Sequence, residues 1–140
     1  MPTIKFEYSL ETQATAEKLW DIIIDVKSWP EWQGTSFVRL AVPSPVREGS
    51  TFVAELGGSK WNITVTKAER PKMVCWIGRR VGLRAIHEWE FLEEGGKTKA
   101  VTRESISGWM LIPLFPIIRK GLAKTDKKWL IDLKSRAESV

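Results

Sequence analysis

The chain has 140 residues, 43% of them hydrophobic and 28% charged, with a formal net charge of +5. That length and balance describe one globular domain that buries roughly two-thirds of its unfolded surface, which excludes a disordered chain and a small fold dependent on disulfide or metal staples. The basic residues are scattered and carry no nucleic-acid-binding signature, so they read as solvated faces and no nucleic-acid partner is expected.

The N-terminus, Met1-Pro2-Thr3-Ile4-Lys5-Phe6-Glu7, lacks the apolar region of a signal peptide. Residues 4 to 10 alternate, with Ile4, Phe6, Tyr8 and Leu10 on one face and Lys5, Glu7 and Ser9 on the other, which predicts a half-buried strand. The period then lengthens. Ala16, Leu19, Trp20, Ile23 and Ile24 fall at helical spacing between Thr15 and Val26, and Glu17 in the first turn suits the helix dipole. Ser28-Trp29-Pro30-Glu31-Trp32 breaks that helix and predicts a second short helical turn, since proline is favoured at a helix start.

From about Ser36 the pattern is strand and turn. Phe37 to Val42 precedes a breaker at Pro43-Ser44-Pro45, and Thr51 to Leu56 ends at Gly57-Gly58. Trp61, Ile63 and Val65 alternate with polar residues, Arg70-Pro71 marks a turn, and Met73 to Ile77 is a nearly continuous apolar strand. Cys75 lies in that run and is the only cysteine, so it reads as a small buried hydrophobe in a reducing compartment.

The next two strands fix a register. Leu83, Ala85, His87, Trp89 and Phe91 share one face, Gly95-Gly96 suits a two-residue primed turn, and Ala100, Thr102, Glu104 and Ile106 share a face beyond it. With the glycines central, 91 pairs with 100, 89 with 102 and 87 with 104, which sets His87 across from Glu104 on the inward side.

Trp109 to Ile118 is apolar on all sides and contains Pro113 and Pro116, far short of the roughly 20 residues that span a bilayer. Its simplest reading is the buried first turns of the last helix. A lid at a cavity mouth or a peripheral membrane contact, helped by Arg119-Lys120, is the competing expectation. Leu114, Ile118, Leu122, Thr125, Trp129, Leu133 and Ala137 then mark one stripe of a helix of at least about five turns. The chain is expected to be soluble and cytoplasmic.

Four segments carry a resemblance. Ala16-Glu17-Lys18-Leu19-Trp20-Asp21 followed by Asp25-Val26-Lys27-Ser28-Trp29-Pro30-Glu31-Trp32 is similar to the opening helix and "D-x-x-x-W-P-x-W" turn of the helix-grip superfamily called SRPBCC. Glu69-Arg70-Pro71-Lys72 resembles its mid-sheet turn, Gly95-Gly96-Lys97-Thr98 its "G-G-T" hairpin with a lysine inserted, and Leu130 to Glu138 its "L-x-x-L-K-x-x-A-E" ending. The superfamily includes START lipid-transfer domains, the birch pollen allergen family and polyketide cyclase/dehydrase-like proteins, and the last branch is the nearest in pattern.

The resemblance implies one α+β domain over 1–140, with a curved antiparallel sheet of about seven strands in the order β-α-α-β6-α wrapped around a long C-terminal helix. It also implies a cavity between sheet and helix for a small hydrophobic ligand such as a lipid, isoprenoid or polyketide-like compound. The expected lining is Trp61, Ile63, Val65, His87, Trp89, Phe91, Thr102 and Glu104 from the sheet, and Phe115, Ile118, Leu122 and Trp129 from the helix. A cyclase or dehydratase would use the His87–Glu104 pair, with Thr102 beside it, for proton transfer next to a carbonyl. One histidine and one cysteine make no usual ligand set, so no metal and no cofactor are expected.

Overall fold

A computed structural model describes residues 2–33, 37–40, 45–56 and 58–139. Seven strands, β1 (Thr3–Thr12), β2 (Phe37–Leu40), β3 (Thr51–Leu56), β4 (Ser59–Glu69), β5 (Met73–Arg80), β6 (Leu83–Glu94) and β7 (Lys97–Ser107), form one antiparallel sheet in the order β1-β7-β6-β5-β4-β3-β2. Between β1 and β2 lie α1 (Ala16–Ile24), a 3-10 turn (Val26–Ser28) and α2 (Trp29–Trp32), and the chain ends in α3 (Leu111–Glu138). This is the β-α-α-β6-α helix grip expected from the sequence. Of the punctuation read there, Pro43 and Ser44 of the breaker and Gly57 of the glycine pair lie outside the described residues, as do 41 and 42 of the expected second strand.

Local chemistry sets each boundary. The Thr15 side chain caps α1 by accepting from the Lys18 N–H, satisfying one of the orphan amides at a helix start. Gly95 and Gly96 take φ values of 58° and 82°, the left-handed pair that a two-residue hairpin turn needs and that side chains resist. The β6–β7 register follows: Phe91 pairs with Ala100, Trp89 with Thr102 and His87 with Glu104. On β6 the inward set from Leu83 to Phe91 is buried, whereas Arg84, Ile86 and Leu92 between or beyond its members are exposed.

The inner face of the sheet is divided along the strands. Toward one end, α1, α2 and the C-terminal half of α3 close over Val65, Val74, Trp89, Phe91 and Ala100. Trp29 of α2 sits at the centre of that core, with Trp76, Trp129 and Phe52 around it. Toward the other end only the N-terminal half of α3 covers the sheet, over a smaller cluster of Ile4, Leu83, Ala85, Ile106 and Leu111. One helix cannot fill the concavity of so wide a sheet, and a gap remains there.

Two expectations need correction. Cys75 is half-buried on the outer side of β5, where burial still pushes its thiol pKa up. Trp109 to Ile118 is not a buried run: Leu111 is fully enclosed, but Trp109, Ile112 and Ile117 are 53, 70 and 72% exposed, because only one stripe of a helix can face a single sheet. Among the described residues no helix is long and apolar enough to cross a membrane.

Candidate functional site

The gap is a cavity of about 270 Å³ between α3 and strands β4 to β7. Trp61 and Ile63 of β4, Trp76 and Gly78 of β5, and Ala85 of β6 form much of its sheet wall. Ile118, Leu122 and Trp129 of α3 face them. Gly78 keeps this wall open, since a Cβ there would come within 3.3 Å of the Trp61 ring. Ser59, Arg80, Gly121 and Thr125 lie around the outer part and retain solvent contact. His87, Glu104, Asp126 and Trp129 form the deep, buried part.

Of the residues expected to line a cavity, Trp61, Ile63, His87, Glu104, Ile118, Leu122 and Trp129 do so. Val65, Trp89 and Phe91 do not. Each has the expected inward parity, but each lies further along its strand, where α1 and α2 have already closed the core. Thr102 is 1% exposed and stands behind His87 rather than at the cavity surface. Phe115 is partly exposed and turned away, since the α3 stripe that reaches the cavity passes through Ile118 and Leu122.

The polar end is more elaborate than a His–Glu pair. His87 Nε2 lies 2.7 Å from Thr102 Oγ1, and that hydroxyl donates to the Glu88 carbonyl. At 2.7 Å the imidazole and the hydroxyl are hydrogen-bonded through Nε2, and which of the two donates follows the imidazole tautomer. Nδ1 is 3.6 Å from Glu104 Oε2, too long for a hydrogen bond. The sequence left open whether the carboxylate or burial would dominate the imidazole. Burial wins, and the His87 pKa is pushed down to about 3.

The third member is Asp126, which sequence reasoning missed. It comes four residues after Leu122 and three before Trp129, so it lies on the inward stripe of α3. An acid on an apolar stripe was the available signal. Donor atoms of His87, Glu104 and Asp126 lie within 4.8 Å of one another. Burial, the neighbouring Asp126 charge and a hydrogen bond to Asp126 hold the Glu104 pKa well above the usual carboxylate range. Burial raises Asp126 to about 6, opposed by the hydrogen bond from Glu104. Glu104 is therefore the protonated partner and donates to Asp126. One buried oxygen on each carboxyl, Glu104 Oε1 and Asp126 Oδ2, has no other hydrogen-bond partner among the described residues. Among the described residues, neither carboxyl has a lysine or arginine offsetting its charge.

Known proteins place this geometry in a lineage. The family model described as "Activator of Hsp90 ATPase homolog 1-like protein" matches residues 13–113. Among solved structures, the hypothetical protein jhp0584 from Helicobacter pylori superposes with a TM-score of 0.82 at 16% identity, covering 97% of this chain and 88% of that one. A START superfamily protein from Mycobacterium smegmatis gives 0.78 at 14% identity, covering 96% of this chain and 97% of that one. The Zhui aromatase/cyclase from Streptomyces sp. R1128 gives 0.78 at 12% identity, covering 98 and 94%. No protein of curated function matches. At these identities the likenesses establish the helix-grip fold, and they agree with the superfamily read from the sequence motifs.

Proposed function

We propose, from the premise that this chain belongs to the Activator of Hsp90 ATPase homolog 1-like family, that it binds a small, largely apolar ligand between its sheet and α3. The observation that carries this reading is the cavity itself, about 270 Å³ with three tryptophans and several aliphatic side chains in its wall and with His87, Glu104 and Asp126 gathered at one end. Pockets for small molecules have this composition, and this one lies just below their usual range of roughly 300–1,000 Å³. A compact ligand, inserted polar end first, suits the space. The likeness to an aromatase/cyclase supports a ring-bearing or polyketide-like compound as one candidate and a short lipid as another.

Binding is better supported than proton transfer by His87 and Glu104. A base with a pKa near 3 is far from the value that serves at neutral pH, and the two groups are 3.6 Å apart with no hydrogen bond between them.

Leu122→Trp tests the cavity directly. Leu122 is half-buried on the cavity wall, so a larger ring there fills the space while most of the core is untouched. Compounds that co-purify with the wild-type protein, identified by native mass spectrometry, are expected to be absent from this variant, and thermal stability should stay the same or rise. Equal ligand occupancy in both proteins would place the binding elsewhere.

A further inference from the structure

The deep end of the cavity has an unbalanced charge. Glu104 and Asp126 share one proton, so together they carry about one negative charge once Asp126 is ionised, and neither has a cationic partner. Among the described residues, the only positively charged side chain in the cavity wall is Arg80. It is four residues along β5 from Trp76, which pairs with His87, so the two Cα atoms are about 13 Å apart at ~3.3 Å per residue. Its guanidinium is engaged elsewhere, donating to Ser59 and lying 5.9 Å over the Trp61 ring. A buried charge without a partner is costly, and the wall beside it supplies electron-rich aromatic faces. Trp76 and Trp129 flank His87 at centroid distances of 5.1 and 5.7 Å, and both line the cavity.

From this arrangement we infer that the ligand is a cationic amine, with its ammonium group seated between the Glu104–Asp126 pair and the Trp76 and Trp129 rings and its apolar body extending toward Ile118 and Leu122. The inference rests on the cavity being a ligand site. The carboxyl pair supplies one charge for one ammonium, and the indoles contribute cation–π attraction while excluding water. The same three side chains, with ligand atoms within 4.8 Å of one another, are also close enough to hold a metal ion, and the test below separates the two occupants.

Octylamine, 1-octanol and octanoate share a chain and differ only in the polar end, so they isolate this claim. Intrinsic fluorescence from Trp61, Trp76 and Trp129 reports occupancy, and calorimetry gives the affinity. At pH 7.5 octylamine is expected to bind at least about tenfold more tightly than 1-octanol. Asp126→Asn should remove that preference. The ionisable groups facing the ammonium are His87 from β6, Glu104 from β7 and Asp126 from α3; His87 stays neutral throughout, so lowering the pH to 5 protonates Asp126 and should weaken octylamine binding about tenfold. Equal or tighter binding of 1-octanol or octanoate would overturn the amine assignment and leave the cavity reading standing. Binding of all three to the Leu122→Trp variant as to wild type, or of none to wild type, would remove the cavity reading itself. Calorimetric binding of Zn²⁺ or Mn²⁺ alone, lost in Asp126→Asn and without an amine preference, would replace the ammonium with a metal ion.

Discussion

Trp29→Ala is expected to destabilise the protein by about 3–5 kcal/mol, the usual range for deleting an enclosed large aromatic side chain. Trp29 is 0% exposed, and its ring packs on Trp76 and Trp129 at 5.1 Å and on Phe52 at 5.6 Å. Its indole N–H also donates to the Ile23 carbonyl at 3.0 Å, which ties the end of α1 to α2. Alanine would open a cavity where sheet, α2 and α3 meet and leave that carbonyl unpaired. Trp29→Phe separates the two effects: most of the ring remains, so the loss should fall to about 1–3 kcal/mol, the cost of an unsatisfied buried acceptor with some packing change. Trp109→Ala is the control. Its side chain is 53% exposed and should change stability by less than about 0.5 kcal/mol. Urea unfolding followed by far-ultraviolet circular dichroism measures all three. A loss below about 1 kcal/mol for Trp29→Ala would mean the ring is not the centre of the core.

Asp126→Asn is expected to make the protein more stable in alkaline solution. A buried aspartate raised from 3.8 to about 6 binds a proton more tightly in the native state than in the unfolded chain. Stability from that proton is complete below the unfolded pKa and disappears as pH rises through 6. A rise of that size corresponds to about 3 kcal/mol. Glu104, also raised, works in the same direction and continues to higher pH. His87 works in the opposite direction: pushed down to about 3, it withholds a proton that the unfolded chain takes up below 6.5, so it removes stability as pH falls. Asp126→Asn removes the aspartate together with the charge that helps to raise Glu104. The amide still accepts the Glu104 proton but cannot ionise, so relative to wild type the variant should gain at least about 2 kcal/mol between pH 4 and pH 8. Urea midpoints collected across that range would show diverging curves. Parallel curves would mean that Asp126 carries no buried charge, which would also undermine the amine site.

The two variants differ in how visible their residues were beforehand. Trp29 sits in Trp-Pro-Glu-Trp, a sequence that resembles a superfamily turn, so its importance was legible before its contacts were known. Asp126 was visible only as an acid at a position the helical period made inward, and the lysines around it suggested a solvated face. The His87–Glu104 register came directly from two glycines and strand parity, because a two-residue turn leaves only one pairing. Parity states which face a side chain takes. It does not say what covers that face.

Val65, Trp89 and Phe91 show the consequence, as they share a face with Ile63 and His87 but lie under α1 and α2. Local periodicity, turn chemistry and motif order in the sequence thus determined the helix grip, the hairpin register and the inward side chains, since those depend on neighbours in the chain. Tertiary packing decided where along the inner face the core ends and the cavity begins. It also decided that an acid from α3 would meet an acid from β7 in low dielectric, because the separation of residues 22 positions apart in sequence depends on how helix and sheet dock.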